Sequence, residues 1–493
     1  MSKEHLPVLG KMKKIARKAL VREQYDKVLS AVAVGAELLY SYNQEYCDDE
    51  FEEILLSVSD KMFSNRPQWS PDSEKKTVLF YDGFGEDTRG LALIFLKGLV
   101  RKGYRVVYAT VDAARGKQPQ IARSTAEYGM EWVYLPCRES YVQWAEALHE
   151  TFEKYHPHSA FFYTLPYDVT ATVVFDHYRD TVKRYQIDLT DHAFWLGKKA
   201  FDICLALRDV GSKIAVHYRG IPAEQIRMLP YYAPVDIDAP FEGFPFPMEG
   251  RRLVFSGGAL YKTLGDKDNL YYKMVDSLLR DHEDLVFLYA GSGDDSQLKR
   301  ILEKYPDRAF FIAERKDLFQ VLKQCVFYLN TYPMFGGMMM NFAARAGKLP
   351  LTLKHNNDAD GLLFNQKELG IEYDAAEDLL ADADRLLSDE AYRQAREAKL
   401  SECVITQDRF EENLASLIEK GNTEFPIYTD PIDTTEFRRE YITRFRYKQA
   451  VRESILYSSC HRPLIPYFPV IFGGYFVRAT LSKIKAKFGR KKA

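Results

Sequence analysis

The chain has 493 residues, of which 46% are apolar, 28% charged and 14% aromatic. A single core rarely exceeds ~300 residues, so this length predicts several domains, and the composition excludes a chain that is disordered over most of its length. The net charge is only −2, and we find no secretory signal, no run of about 18 apolar residues and no CxxC pair among the six cysteines, so we expect no secretion, membrane span, disulfide framework or structural zinc site.

Residues 1–70 predict a small helical module. Two stretches carry apolar residues at helical spacing and show no strand-like alternation, Tyr25 to Tyr42 and Asp49 to Met62. No second copy of this pattern follows at a fixed period, so we do not predict a solenoid.

Residues 75–235 predict an N-terminal Rossmann-like domain. The strand Val78 to Tyr81, the helix Leu91 to Lys102 and the strand Arg105 to Thr110 form a βαβ unit. Further strand-like runs follow at Trp132 to Leu135, Ala160 to Thr164, Tyr185 to Leu189, Phe201 to Leu207 and Arg227 to Pro230.

A Pro- and Gly-rich stretch from Tyr231 to Gly250 is typical of an interdomain linker. The same alternation of short apolar runs and amphipathic segments then restarts and continues over residues 250–421. The predicted fold class is therefore α/β, with two tandem Rossmann-like domains.

Residues 434–493 predict C-terminal helices that end in a basic tail. The last 33 residues hold eight Lys or Arg and no Asp or Glu. In the segment from Tyr475 to Lys492 the apolar residues recur at helical spacing between cations, which predicts a basic amphipathic helix on an anionic membrane surface. A disordered tail, or a helix docked on the acidic body of the protein, is the alternative. No known nucleic-acid module accompanies the charge, so we expect no nucleic-acid partner.

The stretch from Tyr328 to Leu353 predicts a strand, a glycine loop, a short helix and a second strand. Gly336 and Gly337 leave room for a ligand to approach the backbone, and the helix that opens near Met338 points unsatisfied N–H groups at it. This arrangement predicts a cradle for a nucleotide diphosphate, although a glycine pair in this position is also ordinary turn chemistry.

Polar residues at predicted strand ends are the other candidates, because doubly wound sheets bind ligands at the carboxyl ends of their strands. In the first domain they are Asp82, Gly83, Gly85, Thr164, Asp191 and His192. In the second they are Gly257, Gly258, Lys262, Gly291 and Glu314, together with Met338, Met339 and Asn341 of the glycine loop and its helix.

The two domains together resemble a glycosyltransferase of the GT-B fold. Three motifs resemble the O-linked N-acetylglucosamine transferases and their bacterial cytoplasmic protein-glycosylating relatives: ALYKTLGD, FGGMMMN followed by AGKLP, and DHAFWLG. This resemblance covers roughly Thr77 to Gly421. It implies that Lys262 approaches the donor diphosphate, that the glycine loop supports it, and that His192 lies near the reaction centre.

The sequence departs from that family in the donor loop. The family has Thr or Asn side chains where this chain has Met338, Met339 and Met340, so only backbone donors remain. Phe342 stands where the ribose-binding acid is expected, and its neighbour Asn341 is a poor substitute. Asp358 and Asp360 form a DxD pair, but Asn and Asp clusters of this kind are ordinary turns, and we predict no metal site.

These patterns predict a cytoplasmic, metal-independent glycosyltransferase without a cofactor, attached by its tail to the inner face of the membrane. It would take a nucleotide-sugar donor, with UDP as the favoured nucleotide, and a glycan, lipid-linked or protein acceptor. His192 is the expected general base, and Asp191 would orient it or act as the base itself. A non-catalytic adaptor subunit and a nucleotide-sugar epimerase of the same fold are the alternatives.

Overall fold

A computed structural model describes residues 6–71, 76–87, 90–136, 139–264, 266, 268–355, 361–444 and 454–469. The chain forms two compact units. The first comprises Met1–Leu207, Gly211–Arg227 and Leu414–Ala493, and the second comprises Arg208–Val210 and Met228–Asn413. The predicted tail helix from Tyr475 to Lys492 and the pair Asp358 and Asp360 lie outside the described residues.

Three helices open the first unit: α1 (Leu6–Val21), α2 (Tyr25–Tyr42) and α3 (Asp49–Met62). Asp48 caps α3 by accepting a hydrogen bond from the backbone N–H of Phe51. The Phe51 ring packs directly on Gly35 of α2, where a Cβ atom would lie 2.3 Å from the ring. These helices share one hydrophobic core with the sheet that follows.

The sheet of the first unit has seven strands in the order β3-β2-β1-β4-β5-β6-β7. Strands β1 to β6 pair in parallel, and most of their residues are buried. The strands are β1 (Thr77–Asp82), β2 (Arg105–Val111), β3 (Glu131–Leu135), β4 (Ser159–Tyr163), β5 (Lys183–Asp188), β6 (Ile203–Ala206) and β7 (Ile226–Met228). The helices between them are α4 (Leu91–Arg101), α5 (Pro119–Tyr128), α6 (Tyr141–Tyr155), α7 (Val169–His177) and α8 (Asp209–His217).

The second unit repeats this topology with six parallel strands in the order β10-β9-β8-β11-β12-β13. The strands are β8 (Arg252–Ala259), β9 (Leu285–Ser292), β10 (Ala309–Ile312), β11 (Cys325–Leu329), β12 (Pro350–Leu353) and β13 (Glu372–Tyr373). The helices are α9 (Leu270–Asp281), α10 (Leu298–Lys304), α11 (Leu318–Gln324), α12 (Gly337–Arg345), α13 (Gln366–Leu369), α14 (Ala376–Ser388), α15 (Glu390–Glu397) and α16 (Leu400–Cys403). The last helix before the C-terminal part, α17 (Gln407–Lys420), begins in the second unit and ends in the first. The predicted α/β class with two Rossmann-like sheets is thus confirmed.

The C-terminal part of the chain returns to the first unit through α18 (Thr435–Arg444) and a 3-10 helix (Ser459–Tyr467). Ser30 of α2 donates a hydrogen bond to the carbonyl of Cys460 at 2.7 Å. Leu464 and Phe468 are buried in the core of the first unit. In the part of the chain that the structure describes, no helix combines the length and apolar character needed to cross a membrane.

Glycines allow β8 and β9 to approach closely at their carboxyl ends. Gly258 pairs with Gly291, and a Cβ atom on Gly291 would lie 2.0 Å from the Gly258 carbonyl oxygen. Gly258 itself has φ +113°, a conformation that side chains disfavour. The glycines predicted to contact a donor at these two positions therefore also have a packing role.

We expect Gly291→Ala to lower the free energy of unfolding of the second unit by about 3 kcal/mol, because the new methyl group overlaps a backbone atom. Gly347→Ala is the matched control, since Gly347 has a positive φ but open space around it, and should cost about 1 kcal/mol. Urea unfolding followed by circular dichroism measures both. All four tryptophans, Trp69, Trp132, Trp144 and Trp195, lie in the first unit, so tryptophan fluorescence monitors that unit separately. Equal losses in the two variants would contradict the steric explanation.

Candidate functional site

The candidate donor site of the second unit lies where the strand order reverses, between β8 and β11. Ligands of doubly wound sheets bind at such switch points, beyond the carboxyl ends of the strands. A 3-10 helix, Leu260–Thr263, follows β8 and carries Lys262. The Lys262 carbonyl accepts a hydrogen bond of 3.1 Å from the Met334 N–H, in the loop that follows β11. The two predicted donor loops are therefore joined through their backbones.

Asn330 shapes the glycine loop, and the sequence analysis missed it. Its side-chain oxygen accepts hydrogen bonds from the N–H groups of Thr331 and Gly336, at 3.0 and 2.9 Å. Its amide nitrogen donates to the Thr352 hydroxyl on β12 at 3.2 Å. An asparagine directly after a buried strand and before a glycine pair is the sequence signal that could have identified it.

The helix α12 begins at Gly337, close to the predicted position. Gly336 supplies no side-chain cap, and the first amide groups of any helix have no acceptor within it. The Met339 side chain packs over the end of β8, within 3.2 Å of where a Cβ of Gly257 would lie and 3.9 Å from one of Gly258. The start of this helix thus offers backbone donors beside an apolar surface.

Lys262 is half-buried, and its loss of hydration lowers the pKa of its ammonium group. Among the described residues, the structure shows no carboxylate or hydrogen-bond acceptor for this ammonium group. A desolvated cation without a counter-charge favours an anionic ligand.

A second cation in this region was also missed. The Arg208 guanidinium stacks over the ring of Phe335 at 5.5 Å, next to Gly336. Arg208 belongs to the second unit although it is far from Phe335 in sequence, so no local pattern could indicate the contact.

Two other predicted donor residues have different surroundings. The Asn341 amide nitrogen donates to the carbonyls of Gly337 and Leu362, both at 3.0 Å, and so ties α12 to the segment before α13. Glu314 is exposed beyond the end of β10, the edge strand of the sheet. Its neighbour Arg315 forms an ion pair with the buried carboxylate of Asp317.

His192 and Asp191 follow the end of β5 in the first unit. The His192 Nδ1 atom lies 3.2 Å from Asp191 Oδ1. Asp191 is buried, whereas the His192 side chain is 36% exposed and meets the ring of Phe437 edge-on at 6.3 Å. A buried carboxylate bonded to one ring nitrogen of a half-exposed histidine can fix the orientation of the imidazole ring.

The loop that carries His192 is held by Arg219, a third residue that the sequence analysis missed. Arg219 is 1% exposed, and its guanidinium donates to the carbonyls of Thr190, Asp191 and Ala193 at 2.8 to 3.2 Å. A fourth hydrogen bond reaches the Tyr46 carbonyl. The guanidinium also contacts the ring of Trp195 at 4.6 Å.

Asp188, the last residue of β5, is buried below this loop and accepts a hydrogen bond from the Trp195 indole at 3.0 Å. Burial raises the pKa of its carboxyl group to about 6, although Arg219 nearby acts in the opposite direction. Its second oxygen has no hydrogen-bond partner within the described ranges. Asp188 therefore combines burial with a perturbed carboxyl group near the candidate base.

The predicted acceptor-side residues lie at the switch point between β1 and β4. One Asp82 carboxylate oxygen accepts from the N–H groups of Phe84 and Gly85, and the other accepts from the Tyr108 hydroxyl at 2.6 Å. Gly83 packs against Asp168, and Gly85 has φ +65°. Thr164 follows β4 and is buried. In this structure Asp82 organises its own loop.

Comparisons with known proteins address the fold. No protein-family model and no curated protein matches the sequence. A glycosyltransferase from Rickettsia africae aligns over 70% of this chain and 98% of its own, with 12% identity and a TM-score of 0.54. The Anabaena protein HepE, solved in complex with UDP-glucose, aligns over 70% of this chain and 99% of its own, with 13% identity and a TM-score of 0.51.

The chain has a GT-B fold. The resemblance to GT-B glycosyltransferases is thus confirmed at the level of the fold. An O-GlcNAc transferase from Thermobaculum terrenum covers 89% of this chain with 13% identity, but its TM-score of 0.48 is too low to bear on function. Within the described ranges of this GT-B chain, no group of three or more His, Cys, Asp or Glu side chains could hold a metal ion.

We expect Arg219→Lys to destabilise the first unit by about 2 to 3 kcal/mol, because an ammonium group cannot replace the planar fork that serves four carbonyls. Tryptophan fluorescence in urea measures this loss, since Trp195 lies against the guanidinium. Arg439→Lys is the control: this arginine is exposed and pairs with Glu436 on the surface, so its loss should stay below about 0.5 kcal/mol. Similar stabilities for the two variants would show that Arg219 does not hold the loop.

Proposed function

We propose that this protein is a glycosyltransferase that moves a sugar from a nucleotide-diphosphate donor, a UDP-sugar in the favoured case, to a glycan, lipid-linked or protein acceptor. The observation that supports it most is Lys262, a half-buried ammonium group that lacks a counter-charge among the described residues. Its loop is hydrogen-bonded to the loop that leads into α12. A diphosphate supplies the charge that this lysine lacks, and it suits the amide groups at a helix start.

The proposed reaction needs stabilisation of the leaving group. As the bond between the anomeric carbon and the diphosphate breaks, negative charge grows on the diphosphate oxygens. Lys262 and the first amide groups of α12 are donors that can stabilise this charge, so the reaction needs no metal ion. Gly257, Gly258, Gly291, Gly336 and Gly337 would keep the neighbouring backbone free of side chains, and Asn341 would hold α12 in place.

We assign the proton transfer to His192. The acceptor hydroxyl must lose its proton as it attacks the anomeric carbon, and an imidazole nitrogen within hydrogen-bond reach can accept that proton. Asp191 would orient the ring through Nδ1, and Arg219 would hold the loop that carries both. Asp82, Gly83, Gly85 and Thr164 remain proposed residues of the acceptor side.

A non-catalytic adaptor subunit is the second candidate, because Asn341 already serves two backbone carbonyls and Met339 lies over the glycines of β8. Calorimetry with UDP, GDP and free sugars distinguishes the candidates. Absence of nucleotide binding at millimolar ligand would leave only the adaptor. Interconversion of a UDP-sugar without any acceptor would instead identify an epimerase.

We expect Lys262→Ala to weaken UDP binding by about 1.5 to 3 kcal/mol, the value of a charge-assisted contact. Because burial lowers the Lys262 pKa, wild-type affinity should fall at alkaline pH as this lysine loses its proton, and the variant should lack that change. Lys273→Ala, at an exposed position of α9, is the matched control. Calorimetric titration with UDP over a range of pH measures both effects. Equal UDP affinity in wild type and Lys262→Ala would reject the role.

We expect His192→Ala to lower turnover by about 100-fold or more while UDP affinity stays unchanged, as for a general base on the acceptor side. Release of UDP from the donor in the presence of acceptor gives the rate. His217→Ala serves as the control, because His217 is exposed and its Nε2 atom lies 2.8 Å from the Thr429 carbonyl oxygen. A drop in donor affinity without a drop in saturated turnover would make His192 a binding residue.

A further inference from the structure

A basic cavity of about 320 Å³ opens on the first unit between α1, the start of α2 and the 3-10 helix Ser459–Tyr467. No part of the donor or base chemistry involves it. Its wall carries five cations and one aromatic ring, from Lys11, Lys14, Lys18, Arg22, Lys27 and Tyr467. No Asp or Glu is among the described residues that line it.

The spacing of three of these cations places them on one face of α1. Lys11, Lys14 and Lys18 stand three and four residues apart, and Arg22 follows four residues later. The other two cations of α1 form ion pairs: Lys13 pairs with Asp48 at 2.6 Å, and Arg17 pairs with Glu50 at 2.5 Å. On α1, Lys13 and Arg17 are therefore paired with carboxylates, whereas Lys11, Lys14 and Lys18 line the cavity.

The cavity has a defined floor. The Lys27 ammonium lies over the Tyr467 ring at 4.8 Å, which fixes one cation against an aromatic face. The 3-10 helix that carries Tyr467 is anchored to α2 by the hydrogen bond from Ser30 to the Cys460 carbonyl. Five positive charges held around one concave space repel one another, and a ligand with several negative charges relieves that repulsion.

We infer that this cavity binds the phosphate headgroup of an anionic lipid at a membrane surface. Two exposed apolar side chains on the same elements favour a membrane over a soluble phosphate: Val21 at the end of α1 is 84% exposed, and Ile465 is 50% exposed. Cations beside exposed apolar side chains are typical of surfaces that lie at a lipid interface. The basic tail beyond residue 469 carries the same sign of charge as the cavity and is a poor occupant for it.

Sedimentation of the full-length protein with vesicles tests the inference. The vesicles contain either phosphatidylcholine alone or phosphatidylcholine with 30% phosphatidylglycerol, a composition of about one anionic lipid in three. The test variant is Lys14→Gln/Lys18→Gln/Arg22→Gln. The matched control, Lys102→Gln/Lys117→Gln/Arg123→Gln, removes three exposed cations at the end of α4 and around α5. Every form keeps the tail, so its contribution is constant.

Each cation near an anionic surface contributes about a fivefold change in partitioning, so the test variant should bind anionic vesicles on the order of 100-fold more weakly than wild type at low salt. The control variant should stay close to wild type, and higher salt should weaken wild-type binding. The charge-preserving variant Lys14→Arg/Lys18→Arg/Arg22→Lys should retain binding. Wild-type tryptophan fluorescence and urea unfolding in all variants show that the first unit is folded, because all four tryptophans lie in that unit and none lines the cavity.

Four outcomes would overturn the inference. The first is negligible binding of the wild type to anionic vesicles, and the second is equal binding of the test and control variants. The third is displacement from vesicles by millimolar glycerol phosphate, which would assign the cavity to a soluble phosphate. The fourth is tight binding of single-stranded RNA that depends on the same three cations and exceeds vesicle binding, which would assign it to a nucleic acid.

Discussion

Parallel strands impose the constraint on which the candidate sites of both units depend. Strands buried on both faces have little room for polar side chains, and parallel pairing brings all their carboxyl ends to one edge of the sheet. The order reverses between β1 and β4 in one unit and between β8 and β11 in the other. The polar residues that the sequence carries between apolar runs therefore gather at these edges, whatever chemistry they perform.

Arg219 is buried and Lys262 is half-buried, and both side chains lose hydration of a positive charge. The two cations differ in how that loss of hydration is compensated. The Arg219 guanidinium donates hydrogen bonds to four backbone carbonyls and contacts the Trp195 ring. Its charge is therefore compensated within the protein, and its hydrogen bonds stabilise a loop. Lys262 has no such partners among the described residues, and its pKa falls. A compensated cation is a structural device, whereas an uncompensated one is stable only because a ligand or solvent can reach it.

Local patterns predicted most of the fold and part of the candidate site. Strands such as β8 and β9 are recognisable in the sequence as short apolar runs. The helix α12 is recognisable from the glycine pair at its start and from apolar residues at helical spacing. Arg219 and Arg208 could not be found in this way, because their contacts join segments far apart in sequence. Asn330 was within reach of local reasoning, since it directly follows β11. The two-residue strand β13 is too short to have an alternation pattern.

The return of the chain to α2 after the second unit has a consequence for biosynthesis. The core of the first unit contains Leu464 and Phe468, and α2 is bonded to Cys460. The ribosome makes the whole second unit before it makes these residues. At about 5 to 20 residues per second, the N-terminal helices and first sheet wait on the order of ten seconds or more for the segment that completes their core. During synthesis the second unit can therefore reach its native state before the first, the reverse of the order in which their sequences begin.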